Sequence, residues 1–75
     1  MPKLPQVKPT RLLRALQRAG FYIDHITGSH HILYHKDTKR MPISVPRHNR
    51  DVKIDTLKSI LKQAELSADR LKELL

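Results

Sequence analysis

The side chains with the most chemistry to offer are imidazoles. The chain has five histidines and no cysteine, and its carboxylates are not paired for joint acid–base work. Four of the five, His25, His30, His31 and His35, lie in or beside the stretch Thr27-Gly28-Ser29-His30-His31-Ile32-Leu33-Tyr34-His35. An imidazole titrates near neutrality and so can accept or donate a proton at cellular pH. His30 follows Gly28-Ser29, where a turn should open into a strand rich in Ile, Leu and Tyr. A histidine there is fixed in direction by the ladder yet remains near solvent.

A metal is the other use for clustered histidines. If Thr27-Gly28 is a two-residue hairpin loop, Ile26 pairs with Ser29 and His25 lies opposite His30. Their Cβ atoms would be about 4.5–5.5 Å apart. No carboxylate or thiol is spaced as a third ligand, so no metal or other cofactor is expected. His31 and His35 share a face but stand roughly 13 Å apart along a strand, too far for one ion.

The elements that hold these groups can be taken in order. Residues 1–7 contain Pro2 and Pro5 without periodicity and read as a mobile arm. Lys8-Pro9-Thr10 opens a helix, since proline is tolerated where no intrahelical N–H bond is lost. Leu12, Leu13, Leu16 and Ala19 form its apolar stripe, with Arg11, Arg14 and Arg18 opposite. Gly20 suits a left-handed cap. Phe21–Thr27 reads as a strand with Phe21, Ile23 and Ile26 as buried candidates, and Ser29–His35 as a second. After a polar turn at 36–40 comes a third, Met41–Pro46, with Met41, Ile43 and Val45 on one face. Pro42 and Pro46 confine that strand to an edge. A basic loop, residues 47–53, leads to a helix capped by Asp55, whose apolar side holds Val52, Ile54, Leu57, Ile60, Leu61 and Ala64. Ser67 caps a last short helix; Leu66 and Leu71 form a staple, and Leu74 and Leu75 extend its apolar side. The fold class is α+β, with a three-stranded antiparallel sheet that both main helices cover on one face.

Composition bounds the partners. A 75-residue chain has room for one small domain and hides only about 60% of its unfolded surface, which disfavours a deep pocket. Fifteen Lys+Arg against seven Asp+Glu give +8, pointing to a polyanion, nucleic acid before membrane. No apolar run approaches a spanning length and no signal-peptide core opens the chain, so a cytoplasmic site is expected.

The second strand presents a conflict. His30, Ile32 and Tyr34 share one face; Ser29, His31, Leu33 and His35 share the other. Apolar pattern alone buries Ile32 and Tyr34. A catalytic role for His30 prefers the reverse, with Leu33 inward and His30 on the open face; on the residues alone His30 reads equally well as a structural histidine.

Gly28-Ser29-His30-His31, together with Ala19-Gly20-Phe21, Val45-Pro46-Arg47-His48 and Thr56-Leu57-Lys58-Ser59-Ile60-Leu61-Lys62-Gln63-Ala64, resembles the HicA family. The resemblance runs from about Lys8 to Leu75. It implies a fold similar to a double-stranded-RNA-binding domain. It also implies the toxin of a type II toxin–antitoxin module, an mRNA interferase that cuts mRNA independently of translation and is blocked by a HicB-type antitoxin. The family's catalytic histidine falls on His30. Asp55 and Glu65 stand where members often carry glycine, which argues for a side-chain cap at the first and against a glycine-type cap at the second.

What the resemblance implies has a definite chemistry. RNA carries its own nucleophile, the 2′-OH, and a neutral His30 would take its proton and leave a 2′,3′-cyclic phosphate without metal. Ser29 and the backbone at Gly28 are candidates to hold a phosphate oxygen. His48, Lys36, Arg47 and Arg50 are candidates to assist. The expected RNA footprint adds Lys39, Arg40, Lys53, Arg11, Arg14 and Arg18. A non-catalytic RNA-binding module is the alternative; a protein-interaction domain would instead expose Ile32 or Leu33 to its partner.

Overall fold

The computed structural model describes residues 4–37 and 41–75. The order is α1 (Pro9–Arg18), β1 (Phe21–Thr27), β2 (His30–His35), β3 (Ile43–Pro46), α2 (Ile54–Ala64) and α3 (Ala68–Leu74). This is the α+β, α-β-β-β-α layout expected, with the short third helix appended. The sheet order is β1-β2-β3, antiparallel throughout. β2 is therefore central, and the histidine-rich strand is the one held on both sides.

The helices form for the reasons visible in their residues. Pro9 stands in the first turn of α1. Leu12, Leu13, Ala15 and Leu16 are buried, while Arg11, Arg14 and Arg18 are exposed. Ser67 caps α3 by accepting the Arg70 N–H at 3.0 Å. The cap expected of Asp55 is not made. Lys53 is the N-cap residue of α2, no side chain caps it, and Asp55 lies in the first turn, where its charge still favours the helix dipole. At the other end Glu65 takes the left-handed conformation expected of glycine, φ 57° and ψ 40°. The Leu66 N–H bonded to the Leu61 carbonyl at 2.9 Å holds the chain there despite the Cβ cost.

One core joins the helices to one face of the sheet. Leu33 at 0% exposure, Ile43, Val45 and Phe21 meet Leu12, Leu16, Leu57, Ile60, Leu61 and Leu71. Each such side chain contributes about 1.5–3 kcal/mol by leaving water. Val7 is buried and its carbonyl accepts the Val52 N–H at 2.8 Å, so the end of the segment read as an arm is tied to the core; residues 1–3 lie outside the described ones. Arg18 donates to the Leu74 carbonyl and so docks α3 on α1.

The face conflict on β2 is resolved against the apolar pattern. Leu33 is buried and His30 is exposed, with Ile32 and Tyr34 half-buried on the side without helices. Packing decides it: Leu33 pairs with Ile43, and His31 with Val45, so the two most apolar residues of β3 commit β2 to that face.

Several expected core positions are at the surface. Ile23 is exposed and Ile26 is 51% exposed. β1 is an edge strand, and its burial stops after Phe21. Met41 precedes β3 and is 79% exposed, and Ile54, first residue of α2, is exposed.

Candidate active site

The hairpin loop is Gly28-Ser29, one residue later than expected. Thr27 pairs with His30, Ile26 with His31 and His25 with Ile32. Gly28 has φ +45° and takes the first of the two loop positions, where a Gly-X turn needs a positive φ. The expected pairing of His25 with His30 is thus replaced by a diagonal one.

His30 stands at the mouth of β2 on the bare face. Its ring is exposed, and Nδ1 lies 3.2 Å from the Ser29 hydroxyl. That contact engages one ring nitrogen of an exposed residue and leaves Nε2 without a hydrogen bond among the described residues. A Cβ placed on Gly28 would meet none of the described residues within 4 Å, so they leave the approach to the turn open. Arg47, the residue after β3, secures it. Its N–H donates to the Ser29 carbonyl at 2.6 Å, and its guanidinium reaches the Gly28 carbonyl at 3.4 Å. Of the groups named as assistants, Arg47 is the one placed beside the turn.

The other histidines divide sharply. His35 is structural. Its Nε2–H donates to the Ala19 carbonyl and its Nδ1 accepts the Asp37 N–H, both at 3.2 Å, and Phe21 meets the ring edge-on at 4.8 Å. His31 is half-buried on the helix side, and its Nδ1 is buried with no hydrogen-bond partner among the described residues. Together with Arg47, His48 and Asn49 it lines a cleft of about 360 Å³ at the start of α1. His48 accepts the Arg50 N–H at 3.2 Å through Nδ1, on that side of the molecule.

The remaining cations are dispersed. Arg11, Arg14 and Arg18 line a hollow with Leu75, on the helix side and away from His30. Arg50 and Lys53 share another with His48 and Asp51. Lys36 follows β2 at the end opposite the turn, its N–H bonded to the Gly20 carbonyl at 2.9 Å. Lys39 and Arg40 lie outside the described residues. Among the described residues, no three His, Cys, Asp or Glu side chains form a group able to hold a metal, and no helix is long and apolar enough to cross a membrane.

Two features of the bare face escape a reading by residue pattern. Tyr22 and Tyr34 are direct cross-strand partners whose rings stack, with centroids 6.3 Å apart and planes inclined by 28°. Asp24 and His25 form a hydrogen-bonded pair at 2.8 Å. Alternation would have put those neighbours on opposite faces; a register shift between Ile23 and His25 brings them together, and nothing in the residue types announces it.

A family model described as the HicA toxin of bacterial toxin–antitoxin matches residues 10–66, a span that holds the whole sheet, the Gly28 turn and all five histidines. The chain belongs to the HicA toxin family. No curated protein matches it. As a HicA toxin it is the toxin of a toxin–antitoxin system, with an antitoxin as its partner. The turn carrying Gly28, Ser29 and His30 falls inside the matched span, with His30 on the face of the sheet opposite the described helices.

Proposed function

We propose that this HicA toxin is a metal-independent endoribonuclease that cuts mRNA at His30. The observation that supports this is a histidine exposed on the bare face, held by Ser29 through one ring nitrogen and open at the other. With Nδ1–H donated to the Ser29 hydroxyl, Nε2 carries the lone pair a base requires. RNA enters across the bare face with a 2′-OH against Nε2. His30 takes that proton, the 2′-oxygen attacks the adjacent phosphorus, and the P–O5′ bond breaks to leave a 2′,3′-cyclic phosphate. General base help of this kind contributes typically ~10²–10⁴ in rate. Arg47 and the backbone at Gly28 face the non-bridging oxygens. Bases unstacked from the strand find the Tyr22–Tyr34 pair on the same face, a floor of the kind that single-stranded RNA uses.

The partner follows from the same surface. A cytoplasmic toxin with net charge +8 and a bare catalytic face is silenced by an acidic antitoxin of HicB type that covers that face. The test of the activity is to incubate the purified protein with RNA in EDTA and analyse the ends. The expected products carry 2′,3′-cyclic phosphate and 5′-hydroxyl termini. RNA that is bound but left intact would instead make the chain a binding module.

A further inference from the structure

We infer that His25 is the second catalytic group of this site, the general acid that protonates the departing 5′-oxygen. The inference rests on the reading of the chain as an RNA-cleaving enzyme with His30 as base. That reaction moves two protons. One leaves the 2′-OH for His30 Nε2 as the 2′-oxygen bonds to phosphorus. The other must reach the 5′-oxygen as its bond to phosphorus breaks, because an alkoxide is a poor leaving group.

The backbone puts His25 where that proton is needed. Ile23 pairs with Leu33, and the next pair is His25 with Ile32. Asp24 is the extra residue, a β-bulge. In an unbroken ladder His25 would share the helix-side face of Ile23 and Leu33. The bulge moves it to the face of Ile32 and His30, which is the re-aiming that bulges perform beside active sites. Thr27 pairs with His30, so His25 and His30 are diagonal neighbours, a relation that sets Cα atoms about 7–8 Å apart. Two imidazoles carried on one face at that backbone spacing can flank one phosphate.

The partners of the two rings suit different roles. Asp24 Oδ2 lies 2.8 Å from His25 Nδ1. A carboxylate only accepts, so it fixes a proton on Nδ1 and leaves Nε2 as the exchanging nitrogen. Its charge complements an imidazolium, the form an acid must have. Ser29 offers His30 a hydroxyl without charge, which suits a neutral base. The titratable groups facing His25 are Asp24 and Tyr22 on its own strand and, on β2, its two diagonal neighbours His30 and Tyr34. β3 presents Ser44, opposite Ile32, and the helices lie behind the sheet. The other candidates are less well placed. His48 belongs to the cleft on the α1 side, Lys36 to the far end of β2, and arginine does not release its proton in proteins.

The test compares two substrates. A ribodinucleotide has a 5′-alcohol leaving group that needs a proton, and a uridine 3′-(4-nitrophenyl phosphate) has one that does not. His25→Ala should lose ~10²–10⁴ in kcat on the dinucleotide and far less on the aryl ester, and the alkaline limb of its kcat/KM profile should disappear. His25→Gln, which keeps a donor to Asp24, should behave like His25→Ala. His30→Ala should lose both activities. Equal losses for His25→Ala on the two substrates, or a wild-type rate on the dinucleotide, would overturn the assignment while leaving His30 as base. A wild-type protein that cleaves neither substrate would overturn the enzymatic reading, and this inference with it.

Discussion

The two ends of β2 are built in opposite ways. At one end Gly28 turns the chain where an added Cβ would touch none of the described residues, and His30 beyond it is exposed with one nitrogen engaged. At the other end Gly20 has φ +102°, and an added Cβ would lie 2.8 Å from the His35 ring. That ring is held by two hydrogen bonds and by Phe21. The same pair of residue types, glycine and histidine, serves as a locked joint at one end and as an open, oriented group at the other. A strand anchored at its far end can carry an exposed side chain with a fixed direction, which is what a catalytic base needs.

The largest effect is expected at the locked joint. Gly20→Ala should cost about 2–5 kcal/mol, from ~1–2 kcal/mol for a left-handed residue and ~1–3 kcal/mol for crowding the ring. Thermal melting checks this, since 1 kcal/mol is worth roughly 4–8 °C in a domain of this size. His35→Ala comes next, at about 1.5–4.5 kcal/mol, by losing two hydrogen bonds worth ~0.5–1.5 kcal/mol each and an aromatic interaction worth ~0.5–1.5 kcal/mol. Gly28→Ala should cost only the backbone term, about 1–2 kcal/mol, and urea midpoints for the two glycine variants should differ accordingly. Equal costs at Gly20 and Gly28 would remove the contrast. The smallest effect concerns charge. Arg47→Glu should flatten the slope of log K for RNA against log salt by about 0.7 for each phosphate the side chain no longer neutralises, whereas Arg14→Glu, on the helix side, should not.

Much of the scaffold was legible in the residues. The leucine spacing of α1, Gly20 after it, and Ser67 before α3 each point to one local structure, and each forms. The site was legible only in part. Ile32 and Leu33 are equally apolar on opposite faces of β2, so pattern cannot choose between them; the choice is made by Ile43 and Val45 on another strand. The turn slipped by one residue because Gly28 takes the first loop position. Ile23 and Ile26 read as core because nothing local says that the helices cover β1 only near Phe21. The Asp24–His25 pair depends on a bulge, and a bulge changes register without changing composition. Glu65 in the left-handed region shows the same rule at a helix end, with tertiary packing overriding local preference.

The division of labour between His30 and His35 is measured most directly by substituting each with alanine and following both RNA cleavage and melting. His30→Ala should lose cleavage and keep the wild-type melting temperature, because an exposed ring buries little. His35→Ala should melt lower and, below its transition, cleave RNA at a measurable rate. Cleavage by His30→Ala at the wild-type rate, or loss of its activity only in step with unfolding, would return His30 to the structural histidines.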